Sequence, residues 1–168
     1  MIMFKIILAV IIVLLYYNNI HSTSGLHIKI LNNNLLDLYR KQKYLFDSGF
    51  DLYASYNVTI QPNEIKKINF GIIAQVIGKK HGFLIMNRSS IKNNPELLLV
   101  PQVGLIDYEF TGELGSHVLN ISNKTKTISS GDSYWQIVFP HLEPFSVKYV
   151  DIIESRNRGS NGFGSTNI

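Results

Sequence analysis

From Gly25 onward the apolar positions fall on every second residue or gather in short runs, and scarcely anywhere at helical spacing. Leu26-His27-Ile28-Lys29-Ile30 alternates with period two, as a half-buried strand should. Ile65 to Phe70 and Ile72 to Ile77 are apolar runs parted by Gly71. Gly78-Lys79-Lys80-His81-Gly82 has the makeup of a hairpin-like loop, with Phe83 to Met86 as the strand that follows. Leu97–Val100, Glu113–Ile121, Tyr134–Phe139 and Phe145–Val150 complete the predicted strands. Many short strands separated by Gly, Pro, Asn and Ser predict an all-β sandwich or barrel. No repeat and no linker divides it. The tail from Arg156 to Ile168 has almost no core residues and predicts a flexible arm.

The first 24 residues carry a different pattern. Ile6 to Tyr17 is unbroken apolar or aromatic, with Lys5 just before it. Such a run is short for a bilayer span, which needs about 20 residues. It fits the apolar region of a secretory signal peptide, with small residues at Ser22 and Ser24 for cleavage, or an uncleaved signal anchor. The expected organisation is therefore a leader (1–24), a β domain (25–155) and an arm (156–168). The leader indicates a secretory or membrane-anchored location.

Composition narrows the chemistry. The 168 residues contain no cysteine, which excludes a disulfide framework, a thiolate zinc site and a cysteine nucleophile. Net charge is +4, and the densest basic cluster is only Lys79-Lys80-His81. A protein that coats nucleic acid shows a denser stripe, so direct nucleic-acid binding is not expected and one polyanionic ligand accounts for the surplus. Four N-x-[ST] sequons occur, at Asn57, Asn87, Asn120 and Asn123.

The loops hold five islands of chemistry-bearing residues. They are Ser48-Gly49-Phe50-Asp51-Leu52-Tyr53, Asn87-Arg88-Ser89-Ser90, and Gly104-Leu105-Ile106-Asp107-Tyr108-Glu109-Phe110-Thr111-Gly112-Glu113. Gly131-Asp132-Ser133-Tyr134-Trp135-Gln136-Ile137 is the fourth, and Arg158-Gly159-Ser160-Asn161-Gly162-Phe163-Gly164-Ser165-Thr166 the fifth. In this order and at these spacings they resemble the five motifs of the trimeric deoxyuridine triphosphatases (dUTPases), from Leu26 to Thr166.

The resemblance implies a jelly-roll-like distorted barrel in a homotrimer. Each active site would take islands two and four from one subunit, island three from a second and the arm from a third. It implies Mg²⁺-assisted hydrolysis of dUTP to dUMP and pyrophosphate, which limits uracil entry into DNA and supplies dUMP. Asp107 would be the general base that deprotonates and aligns the attacking water. Arg88, Ser89 and Ser90 would hold the phosphate chain, and Gln136 would hydrogen-bond it. The main chain around Gly104, Leu105 and Ile106 would read uracil, and Phe110, where the family usually has Tyr, would exclude a 2′-hydroxyl by bulk. Asp51 would support the metal through water, the Mg²⁺ arriving on the triphosphate. In the arm, Phe163 and Gly164 would cover the base, and Arg158, Ser165 and Thr166 would bind the terminal phosphate. A catalytically silent secreted or lumenal binding protein with this fold is the alternative. A membrane partner is expected only if the leader stays as an anchor, and against the leader the implied chemistry suggests the cytoplasm, the nucleus or a viral setting. A glycan on Asn87 would conflict with the phosphate role of its neighbours.

Overall fold

This computed structural model describes residues 3–4, 7–13, 24–42 and 46–162. Residues 7–13 are helical with exposed side chains, and among the described residues no helix is long and apolar enough to cross a membrane. The rest of the expected leader, apart from residues 3–4 and Ser24, lies outside the described residues, and so do Phe163, Gly164, Ser165 and Thr166 of the arm.

Among the described residues, twelve strands, one short α-helix and two 3-10 turns (Asn33–Leu35 and Ser89–Asn93) make up the body: β1 (Gly25–Ile30), α1 (Leu36–Arg40), β2 (Gly49–Leu52), β3 (Val58–Ile60), β4 (Ile65–Asn69), β5 (Ile72–Ile77), β6 (Phe83–Asn87), β7 (Leu97–Val100), β8 (Gly104–Ile106), β9 (Gly115–Asn120), β10 (Lys126–Ile128), β11 (Trp135–Val138) and β12 (Ser146–Tyr149). They form four sheets, ordered β12-β1-β5, β10-β3, β2-β11-β6-β8 and β4-β9-β7. The period-two reading of β1 holds: Leu26 and Ile28 are fully buried. β5 buries Ile72, Ala74 and Val76 in the same way.

The core sits between the sheets around Trp135, Phe70 and Tyr39, all fully buried. Phe70 and Trp135 meet at 5.8 Å between ring centroids. Tyr39, from α1, is a polar pin within this core. Its hydroxyl donates to the Phe70 carbonyl at 2.7 Å and accepts the Tyr53 N–H at 3.2 Å. Asn120 is a second one, its amide donating to the Ile60 and Lys124 carbonyls and accepting from Ser122. With no exposed surface, the Asn120 sequon is closed to a glycan in the folded chain.

Two strand pairings position the site. β6 runs antiparallel to β11 on one side and to β8 on the other. Gly82 leads into β6 so close to β8 that a Cβ there would meet the Ile106 carbonyl at 2.4 Å, so only glycine fits. Tyr39→Phe should leave the Phe70 carbonyl without this donor in the core, at a cost of about 1–3 kcal/mol. Urea unfolding of the variant against the parent chain measures this.

Candidate functional site

The site residues assemble into two separate groups. The first forms on the outer face of the β2-β11-β6-β8 sheet. Gln136 stands opposite Asp51 across one pairing and opposite Met86 across the other, so all three share a face. Arg88 lies two residues beyond Met86 and extends that face. Inward positions such as Phe50, Ile85 and Ile137 belong to the core. Register alone therefore puts a carboxylate, a guanidinium and an amide together.

Their contacts fix them tightly. Arg88 Nε lies 2.7 Å from Asp51 Oδ1. Its Nη1 donates to the Ser133 carbonyl at 2.8 Å and the Ser133 hydroxyl at 2.6 Å. The guanidinium is thus held from two sides, through Nε and through Nη1. Asp51 is 7% exposed. Burial raises its carboxyl above the usual range, Arg88 opposes that, and Asp47 adds to it. Gln42 closes the free edge of β2: its Oε1 accepts the Asp51 N–H and its Nε2 donates to the Asp51 carbonyl, both at 3.0 Å. An open cavity of about 610 Å³ lies over this face, lined by Asp47, Asp51, Arg88, Ser89 and Gln136 among others. Ser89 is exposed there. Ser90 instead donates to the Ser133 carbonyl at 2.7 Å and bolsters the loop.

The second group stands at the other end of β6. Gly104, Leu105 and Ile106 form β8, and Asp107 follows in a turn closed by the Phe110 N–H donating to the Asp107 carbonyl at 3.1 Å. The Asp107 carboxylate is half exposed and ion-paired with Arg158. The Phe110 ring lies against Gly112 and Gly162, at distances where a Cβ would crowd it. A cavity of about 80 Å³ sits here, lined by Leu105, Ile106, Asp107, Phe110, Arg158 and Gly162 among others. That is the volume of a few waters, too small for a nucleoside while residues 158–162 fill it. The root of the arm thus runs along its own chain's turn, with Gly159 bridging Phe110.

One chain does not bring the two groups together. Asp107 lies beside Gly82, where a Cβ would meet its Cα at 3.5 Å. Arg88 lies past the far end of the strand, and six residues at about 3.3 Å each put it roughly 20 Å away. No metal cluster of three His, Asp or Glu occurs among the described residues. Asp47 and Asp51 are the carboxylates lining the larger cavity, too few for a protein-held ion but suited to water-mediated support of a cation carried by a ligand.

A family model for dUTPase matches residues 39–167. The chain belongs to the dUTPase family. The deoxyuridine 5′-triphosphate nucleotidohydrolase of Finegoldia magna is 32% identical over 143 residues, covering 83% of this chain and 97% of its own length. That of Wigglesworthia glossinidia brevipalpis is 32% identical over 143 residues, covering 82% and 94%. Among solved structures, a Staphylococcus bacteriophage 80alpha dUTPase mutant with dUpNHpp matches at TM-score 0.57 and 21% identity, over 86% of this chain and 99% of that one. A phage phi11 dUTPase mutant, which shows the coordination of a structural Mg(II) ion, matches at TM-score 0.58 and 21% identity, over 78% and 99%. These likenesses establish the all-β dUTPase fold, and the family is one of dUTP-hydrolysing enzymes.

Ser133, Gln42 and Arg156 are the residues of this dUTPase site that the motif reading passed over. Ser133 lies inside the fourth island; the other two carry no local signal. The Asp51–Arg88 pair yields a test with a definite sign. In Arg88→Ala the causes that raise the Asp51 carboxyl stand unopposed. Ionising it then costs stability, and the deficit grows as pH rises through its folded-state pKa. The expected loss is about 1–3 kcal/mol near pH 7 and a smaller one near pH 4, read from urea unfolding at both.

Proposed function

We propose that this dUTPase hydrolyses dUTP to dUMP and pyrophosphate by attack of water on the α-phosphate, at sites completed between copies of a homotrimer. The observation that carries this reading is the division of its groups between the ends of β6. One half offers a carboxylate beside a recess lined by Leu105, Ile106 and Phe110, which the root of the arm narrows to about 80 Å³. The other offers a guanidinium, a hydroxyl and an amide around an open cavity. Exposed apolar side chains at Leu105, Val103 and Ile65 support a neighbouring copy covering the surface.

In the reaction the Asp107 carboxylate takes a proton from water and the water oxygen bonds to the α-phosphorus. The bond from that phosphorus to the bridging oxygen breaks, and the electron pair leaves with pyrophosphate. Arg88 and Ser89 of the facing half meet the charge that develops there, and Gln136 orients the chain. A bound Mg²⁺ would supply charge neutralisation on the phosphates, with Asp51 supporting its waters. Arg158 holds Asp107 in the closed chain. A triphosphate is the stronger anion for that guanidinium, so its arrival frees Asp107 to act as a base. Uracil is read by the β8 main chain, and Phe110 fills the space a 2′-hydroxyl would need. Phe163, Gly164, Ser165 and Thr166 complete the cover. We read the leader as a signal peptide or anchor that brings the enzyme to a membrane system. The intact acid–base and phosphate groups do not favour a silent binding protein.

Pyrophosphate release from dUTP with Mg²⁺, against UTP, dTTP and dCTP, tests the reading, and rapid release from dUTP alone is expected. Asp107→Ala should lower turnover by about a thousandfold or more with dUTP affinity largely kept. Undiminished turnover in that variant removes its role. Phe110→Ala should raise the UTP rate relative to dUTP by about tenfold or more, measured as the ratio of the two kcat/KM values.

A further inference from the structure

We propose that Arg156 is a positioning residue, anchoring the root of the arm and the Asp107 turn to the rigid sheet. The proposal rests on the dUTPase reading for its effect on turnover; its effect on the arm stands by itself.

The guanidinium is placed three ways. Its Cζ lies 3.6 Å from the centroid of the Tyr108 ring. Nη2 donates to the Val76 carbonyl at 2.8 Å, and Nη1 donates to the Tyr108 carbonyl. Val76 belongs to β5 and is 1% exposed, so its carbonyl is fixed to the core. Arg156 is itself half-buried. One planar side chain thereby joins a core strand, the residue next to Asp107 and the start of the arm. The fork geometry and the stacked plane are both properties of arginine that lysine lacks.

The neighbouring contacts show what the anchor serves. The Asn157 N–H donates to Glu109 Oε2 at 3.0 Å, and the Thr111 N–H donates to the Gly159 carbonyl at 2.8 Å. Arg158 pairs with Asp107. These ties zip residues 157–159 to residues 107–111, but each joins one partly exposed loop to another, where water competes. Among the described residues of the arm and its root, two hydrogen bonds reach the sheet: Arg156 to Val76, and the Gln75 side chain to the Glu154 carbonyl at 3.0 Å. Of these, only Arg156 also grips the turn. Without it the turn keeps its β8–β6 pairing and the arm its Gln75–Glu154 bond, but the two lose the one side chain that ties both of them to β5. Catalysis falls steeply with sub-ångström misplacement of a base or a lid.

The test compares Arg156→Ala and Arg156→Lys with the parent chain by two readouts. Hydrogen exchange at the Thr111 and Asn161 amides should quicken by about tenfold in Arg156→Ala, with the amides of β6 and β11 unchanged. Steady-state hydrolysis of dUTP should lose about tenfold in kcat with a smaller change in KM, and Arg156→Lys should fall between. Tyr108→Ala combined with Arg156→Ala should add less than the sum of the single losses. Unchanged exchange at Thr111 overturns the proposal, as does acceleration spread evenly through the core, which marks a merely structural residue. A parent chain that does not hydrolyse dUTP sinks the functional reading instead, and exchange at Thr111 still decides the anchor.

Discussion

The length of β6 is the constraint on which the site depends. Its pairing with β8 brings Asp107 beside Gly82, and its pairing with β11 gathers Asp51, Gln136 and Arg88 beyond the other end. A strand cannot shorten, so the proposed base and the proposed phosphate grip stay roughly 20 Å apart on one chain. One α-phosphate cannot touch both. The proposed reaction therefore calls for two copies facing each other, each lending a different end of the same strand. The proposed homotrimer is one assembly that would supply such facing copies.

The two ends are built on one electrostatic plan. Each pairs a carboxylate with a guanidinium: Asp51 with Arg88, and Asp107 with Arg158. The pairs differ in burial, and burial decides what each can do. Asp51 is enclosed and braced by Gln42, so it stays with Arg88 and fixes the orientation of that fork. Asp107 and Arg158 are more open, so an anionic ligand can separate them. A modest surplus of positive charge suffices, because the cations that matter are positioned by carboxylates rather than massed on the surface.

The strands with clear alternation or long apolar runs, such as β1, β5 and β6, were legible in the sequence. β2, β3, β8 and β10, of three or four residues, were not, although the equally short β7, β11 and β12 were. Two of them, β2 and β8, lie inside the recognised islands, so the motifs located what the pattern could not. Arg88 and Asp107 were legible as chemistry, but their separation was not, since it depends on which strands pair. Gln42 and Arg156 act through contacts 9 and 80 residues away, to Asp51 and Val76, and carry no local signal. Ser90 looked like a phosphate ligand by its place beside Ser89, yet its hydroxyl turns back to Ser133. The direction of a side chain after a strand end is set by the loop it meets.

Mixing two inactive chains tests the division of the site most directly. Asp107→Ala and Arg88→Ala are each expected to be nearly inactive alone. Unfolded together and refolded in equal amounts, they should recover about one quarter of the parent rate of dUTP hydrolysis, because a random assembly places an intact Arg88 opposite an intact Asp107 that often. A mixture no more active than its components would contradict the account, since base and phosphate grip would then have to come from the same chain.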